Sequence, residues 1–284
     1  MNTHKVWFVT GASKGLGFSL IQQLVKSGYR VAATSRTVGS FSKELPPSEN
    51  FLPLAMEVVN EKSVKQAISK TIETFGHIDV VVNNAGYGQL GTLEELTDHE
   101  SRENFDVNVF GVLNVMRSVM PHFRQRGTGH VINISSIAGF LGAFPGWGIY
   151  NATKFAVAGL TEAFSAETKS MGIKSTIVYP GYFKTNFLLQ GSLRTAADPI
   201  DAYTEARELE KIHNEQIIGN QPGDPEKAAL AFIELAENEN APLHFFMGSD
   251  SISMAKSKID LLNQELASNE KLGKSTDFQV VAAA

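Results

Sequence analysis

The chain of 284 residues contains no cysteine. Disulfides, thiolate metal ligands and a cysteine nucleophile are therefore excluded, and a reducing compartment is compatible with the sequence, so a cytoplasmic protein is expected. Long apolar runs are also missing. No stretch approaches the ~18 consecutive apolar residues of a membrane span, and residues 1–8 fall short of a signal-peptide core. Nor is there a basic surplus: 25 Lys and Arg stand against 30 Asp and Glu, a net charge of -5. That balance argues against nucleic acid as the main partner, because phosphate binding needs a positive surface. One absence is local, since residues 1–43 contain no Asp or Glu at all.

What is present, with 43% hydrophobic and 19% charged residues, is enough apolar material for a large core. Strand-like runs fall at residues 6–10, 30–34, 51–56, 80–83, 130–134, 175–179 and 244–247. Most are nearly continuous in apolar residues, as suits strands covered on both faces of a parallel sheet. Amphipathic stretches lie between them. One follows Asn60, a candidate N-cap, with Val64, Ala67, Ile68, Thr71, Ile72 and Phe75 at helical spacing. Another carries Phe105, Val109, Val112, Met116, Val119 and Phe123 and stops before Gly127. A third holds Tyr150 and Lys154. Repeated strand and helix predict an α/β, Rossmann-like, doubly wound parallel sheet of about seven strands with helices on both faces. No repeat or linker divides the chain, so residues 1–284 are read as one domain. Within it, 188–223 is polar, bounded by Asp198-Pro199 and Gln221-Pro222-Gly223, and reads as a substrate lid or a surface insertion. A late helix is expected over 251–269, followed by a tail at 270–284 whose last residues, 280–284, look frayed.

The first strand runs into Thr10-Gly11-Ala12-Ser13-Lys14-Gly15-Leu16-Gly17 and then a helix. Glycines at such a turn let backbone amides approach a pyrophosphate, and a helix N-terminus adds partial positive charge. The second strand ends in Thr34-Ser35-Arg36. An NAD site usually carries Asp or Glu here for the ribose hydroxyls, whereas a 2′-phosphate calls for cations. With no acid before Glu44, Lys14 and Arg36 favour NADP(H) over NAD(H); otherwise they are solvated surface cations. Glu57, at the end of the third strand, is an adenine contact or a strand-end charge. Asn83-Asn84-Ala85-Gly86 forms a tight turn after the fourth strand. Asn108 is a helix-interior amide among apolar neighbours, which asks for a core hydrogen bond or a place in a proton path. Tyr150 and Lys154 share one helix face at i and i+4, so an ammonium beside the phenol is expected to favour its ionised form.

Together these motifs, with Ser136 and the Pro180-Gly181 to Thr185 stretch, resemble the short-chain dehydrogenase/reductase family over roughly residues 5–187. The likeness is to its NADP-preferring members near hydroxysteroid and retinol dehydrogenases. The resemblance implies that Tyr150 is the catalytic acid/base and that Ser136 holds the substrate oxygen. It also implies that Lys154 binds the nicotinamide ribose and lowers the Tyr150 pKa, and that Asn108 anchors a relay water. The implied cofactor surface comprises Gly11, Ser13, Lys14, Gly15, Leu16, Gly17, Arg36, Glu57, Val58, Asn84, Ala85, Gly86, Pro180, Gly181, Phe183 and Thr185 with Tyr150 and Lys154. Two departures stand out: Glu57 where many members have Asp, and a gap of fourteen positions from Ser136 to Tyr150 where thirteen is common. The Ser-Ser-Ile-Ala-Gly context favours Ser136 over Ser135.

The expected function is NADPH-dependent reduction of a ketone or aldehyde, reversibly oxidising an alcohol, with no metal. Phe140, Leu141, Phe144, Trp147, Tyr182, Phe187 and Leu188 are candidates to line an apolar substrate pocket, or to pack the core or a subunit contact. The alternative is a catalytically silent NADP(H)-binding regulator of the same fold. A nucleotide-sugar epimerase would need a larger substrate domain than the residues after Lys184 supply. Relatives pair through helices like those holding Asn108 and Tyr150, so a homodimer or homotetramer is expected.

Overall fold

A computed structural model provides the structure, which describes residues 5–41, 45, 48–189 and 191–278. Residues 279–284, including the end read as frayed, and Gln190 within 188–223 lie outside the described residues.

The main sheet contains β1 (Val6–Val9), β2 (Arg30–Ser35), β3 (Phe51–Ala55), β4 (Val80–Asn83), β6 (Gly129–Ile134), β7 (Ile173–Pro180) and β9 (His244–Met247). Its order is β3-β2-β1-β4-β6-β7-β9, and every neighbouring pair is parallel. The seven expected strands are all present. Between them run α1 (Gly15–Lys26), α2 (Glu61–Phe75), α3 (Asp98–Phe105), α4 (Gly111–Arg126), α5 (Gly148–Thr168), α6 (Thr204–Ile212) and α7 (Pro225–Glu237), and α8 (Ser249–Lys274) follows β9. The last helix continues past Asn269 to Lys274, so part of the expected tail is helical: no proline or αL glycine stands at 269 to end it.

Each face of the sheet has its own core. On one, Trp7, Val9, Val31 and Val82 pack with Leu20, Ile21 and Leu24 of α1 and Phe232 of α7. On the other, Phe8, Val81 and Val131 meet Val64 and Ile68 of α2, Val115 and Val119 of α4 and Val157 of α5. Fully burying one such large apolar side chain contributes roughly 1.5–3 kcal/mol. The continuous apolar runs seen in the sequence follow from this coverage on both sides. Local signals set the helix ends. The Asn60 side chain accepts from Ser63 N at 3.1 Å, and Gly76 ends α2 at φ 86°.

Two features escape the sequence pattern. A short parallel pair joins β5 (Gly88–Leu90) to β8 (Leu193–Thr195), carrying the 188–223 segment back onto the body of the domain. Between α3 and α4, residues Asp106–Phe110 widen into a single π-helical turn, closed by Gly111 N–H to Asp106 O. The strand order reverses between β1 and β4, where loops leave in opposite directions and open a crevice at the carboxyl edge.

Candidate active site

The crevice is a cavity of about 490 Å³ running from the glycine turn after β1 to the 188–223 segment. At its first end the chain must come very close to itself. Gly11 sits at φ 61°, and a Cβ there would lie 2.6 Å from Ala85 Cα. A Cβ on Gly17 would lie 2.4 Å from Asn84 Nδ2. The Asn84 amide fastens the two turns together, donating to Thr10 O at 3.0 Å and Gly11 O at 2.9 Å. Asn84 N and Ala85 N both donate to Thr10 Oγ1. The N-terminus of α1 then faces the crevice, with no acidic residue in its first turn.

Beside it stand two cations. Burial, and then the neighbouring Arg36 guanidinium, lower the Lys14 pKa, so the two positive charges repel one another at the crevice wall. Lys14 Nζ donates to Gly191 O at 2.7 Å. Thr34 Oγ1, on the same wall, is buried without a hydrogen-bond partner among the described residues. A glycine cradle, a helix N-terminus, adjacent cations and an orphan hydroxyl fit a phosphate-bearing dinucleotide.

Further along, Tyr150 projects from the first turns of α5 and is buried. Burial pushes its pKa above the ordinary phenol value; a hydrogen bond with Ser136 lowers it and the neighbouring Tyr182 raises it. Lys154 Nζ lies 5.6 Å from the Tyr150 ring centroid and donates to Ile134 O at 2.9 Å. Burial lowers the Lys154 pKa to about 8. The expectation that the ammonium would acidify the phenol is corrected here. The ammonium is turned to a carbonyl beside the ring, and desolvation governs Tyr150. Ser135 is buried and its Oγ donates to Lys154 O at 2.8 Å, leaving Ser136 as the serine at the phenol.

Asn108 lies behind this group, in the π-helical turn. Its Oδ1 accepts from Tyr87 N at 3.0 Å, and Nδ2 donates to Tyr87 O at 3.0 Å and Thr153 Oγ1 at 3.1 Å. A Cβ on Gly86 would lie 3.0 Å from Asn108 Oδ1, a tight contact, and 3.7 Å from Lys154 Nζ, so the backbone here packs closely against both side chains.

Gly11, Ser13, Lys14, Gly15, Leu16, Arg36, Glu57, Val58, Asn84, Ala85, Gly86, Ser136, Tyr150, Lys154, Pro180, Gly181, Phe183 and Thr185 all line the crevice. Gly17 and Asn108 do not; the first packs the turn and the second fixes the floor. Of the seven residues suggested for the substrate pocket, Phe144, Trp147, Tyr182, Phe187 and Leu188 line it. Phe140 is instead stacked into the core, its ring edge-on to Phe246 at 5.0 Å and to Tyr179 at 5.9 Å, and Leu141 is also outside the wall.

Sequence reasoning missed His213, Arg194, Gln221 and Asp250. The first three line the cavity from the 188–223 segment. Asp250, at the start of α8, accepts from Tyr182 N at 2.7 Å and fills the space a side chain at Gly181 would need. No local motif marks these residues, because each reaches the site from a distant part of the chain. The segment itself is fastened by Glu95, which accepts from Ile200 N at 2.6 Å and from Arg207 Nη2 at 3.1 Å.

Among the described residues no group of His, Asp or Glu is gathered to hold a metal ion, and no helix is long and apolar enough to cross a membrane. The sequence profile described as short chain dehydrogenase matches residues 5–193. The 3-ketodihydrosphingosine reductase of Bacteroides thetaiotaomicron is 35% identical over 89% of this chain and 92% of that protein. The structure of a short-chain dehydrogenase from Streptomyces avermitilis superposes with a TM-score of 0.87 at 33% identity, covering 96% of this chain and 100% of that one. That of ElxO with NADP bound does so at 0.70 and 28% identity, covering 88% and 100%.

Proposed function

Because the chain belongs to the short chain dehydrogenase family and is an oxidoreductase of that type, we propose that it reduces a ketone or aldehyde with NADPH, Tyr150 delivering the proton. The observation that carries this reading is the buried Tyr150 hydroxyl, bonded to Ser136 at the cavity wall with Lys154 beside its ring. The nicotinamide, when bound, supplies the hydride. The chain does the rest. Ser136 and Tyr150 donate hydrogen bonds to the carbonyl oxygen, where negative charge grows as the bond is reduced. A phenol whose pKa is raised by burial stays protonated at neutral pH, which suits donation in the reductive direction. Lys154 places a cation next to the ring as the proton leaves. Asn108 positions Tyr87 and the floor beneath Gly86; the relay-water role rests on the family resemblance.

Preference for NADPH rests on Lys14 and Arg36, since solved neighbours of this chain hold NADP in some cases and NAD in others. The apolar walls of Trp147, Phe187 and Leu188 support a largely apolar substrate. The 188–223 segment serves as its lid, supported by its contribution of Leu188, His213 and Gln221 to the cavity. Pairing as a homodimer or homotetramer in the cytoplasm belongs to the same reading, supported by the exposed Phe110 and Phe155 beside and on the helices that hold the site.

The test is NADPH consumption, followed by absorbance, over a panel of aromatic and aliphatic ketones and aldehydes. Tyr150→Phe should bind NADPH as the natural protein does and lose at least a hundred-fold in turnover, the scale of general acid catalysis, ~10²–10⁴. Near-normal rates in that variant would refute the role of the phenol, and tight NADPH binding with no turnover across the panel would favour a silent regulator.

A further inference from the structure

The far wall of the cavity holds a polar pair among apolar rings. Tyr182, on the loop after β7, and His213, in the π-helical turn His213–Ile217 that follows α6, lie 3.0 Å apart from Oη to Nε2. Trp147 touches both ends of the pocket, its ring 5.4 Å from that of Tyr150 and 5.5 Å from that of His213. Tyr182 and Tyr150 are near enough to feel one another electrostatically.

The direction of these hydrogen bonds follows from their partners. His213 Nδ1 lies 2.8 Å from Leu209 O, and a carbonyl oxygen only accepts, so Nδ1 carries the proton. In a neutral imidazole Nε2 is then the acceptor. Burial lowers the His213 pKa and keeps the ring neutral. The Tyr182 hydroxyl must therefore give its one hydrogen to His213. What its oxygen retains toward the cavity is lone pairs.

We infer that the substrate carries a hydroxyl group near the carbonyl to be reduced, and that this hydroxyl donates to the Tyr182 oxygen, whose polarity His213 fixes. The inference rests on the carbonyl-reductase reading and deepens it: one end of the pocket donates to the carbonyl oxygen, the other accepts from a hydroxyl. An uncharged donor suits walls made of Trp147, Phe187 and Leu188, where a bare ammonium would be costly to desolvate. Tyr182 is thus a specificity-determining residue and His213 a positioning residue that acts through it. Asp250 holds the arrangement from behind through the Tyr182 backbone N–H.

The experiment compares acetophenone with its α-hydroxy and α-methoxy derivatives, and propiophenone with the β-substituted pair, by kcat/KM with NADPH. The natural protein should favour the hydroxy over the methoxy ketone by roughly ten- to hundred-fold, because the ether leaves a buried acceptor unpaired. Tyr182→Phe should collapse that ratio to near one. His213→Phe frees the Tyr182 hydrogen and should shift the ratio toward the methoxy ketone, whereas His213→Gln, which restores an acceptor, should keep the hydroxy preference. NADPH titration of each variant shows that it is folded. Reduction of the parent ketones without discrimination would overturn this inference alone. A preference that survives Tyr182→Phe would overturn the assignment to Tyr182. Turnover of no member of the series would overturn the carbonyl-reductase reading together with the inference.

Discussion

Replacing Arg36 with alanine separates the two nicotinamide cofactors. The guanidinium stands at the end of β2, close enough to Lys14 to depress its pKa after burial has done so, in a part of the chain without a carboxylate before Glu44. Two cations held together in this way cost free energy until an anion comes between them. A 2′-phosphate supplies that anion; a ribose hydroxyl does not. Charge-assisted hydrogen bonds contribute roughly 1.5–3 kcal/mol each, and because Arg36 is exposed, water and salt reduce its fork to about that total. At about 1.4 kcal/mol per factor of ten, Arg36→Ala should weaken NADPH roughly ten- to hundred-fold and move NADH by less than about two-fold. Calorimetric or fluorescence titration of both cofactors measures this directly. Repeating the NADPH titration at low and high salt should show a shallower salt dependence in the variant. Equal losses for NADPH and NADH, or no loss for either, would refute the phosphate role.

The remaining tests concern the acid and the cradle. Lys154 keeps its proton below its lowered pKa of about 8 and loses it above, while Tyr150 stays protonated throughout because burial raises its pKa. Ketone reduction should hold through neutral pH and fall as pH rises past about 8, where Lys154 loses the charge beside the ring; initial rates of reduction across pH test this, and a rate that rises through pH 8 would contradict it. Gly11→Ala forces a Cβ to within 2.6 Å of Ala85 Cα at φ 61°. Left-handed strain of about 1–2 kcal/mol plus overpacking of about 1–3 kcal/mol should lower Tm by roughly 3–8 °C and weaken NADPH binding, and an unchanged melting curve would show that the turn yields easily.

The sheet was legible because its strands are covered on both faces and therefore read as unbroken apolar runs, from Trp7-Phe8-Val9 to Val80-Val81-Val82. The core of the site was legible for a different reason. Glycines that must admit close approach, a helix-interior Asn108 and an i, i+4 Tyr–Lys pair are each locally improbable, so each marks itself. β5 and β8 gave no such mark, being three residues long and paired across a separation in sequence of about a hundred. Phe140 looked like a pocket residue because it follows Ser136, yet its ring turns to Tyr179 and Phe246. The phenol's titration was misjudged because spacing shows which charges are near and not how deeply they are buried. His213 and Asp250 could not be found at all without the fold, since their value lies in what they touch.

The π-helical turn at Asp106–Phe110 has a consequence for how this chain tolerates change. Removing one residue from it would let the turn close to an ordinary helix with the residues beyond still facing as they do, because the widened turn is what absorbs the extra residue. Val112, Val115, Met116 and Val119 would keep their places in the core, while Asn108, set within the turn, would lose Tyr87. A deletion here would therefore spare the greasy side of the helix and break the polar floor of the cavity. The surplus residue is slack in the helix, taken up where the site needs an amide and nowhere else.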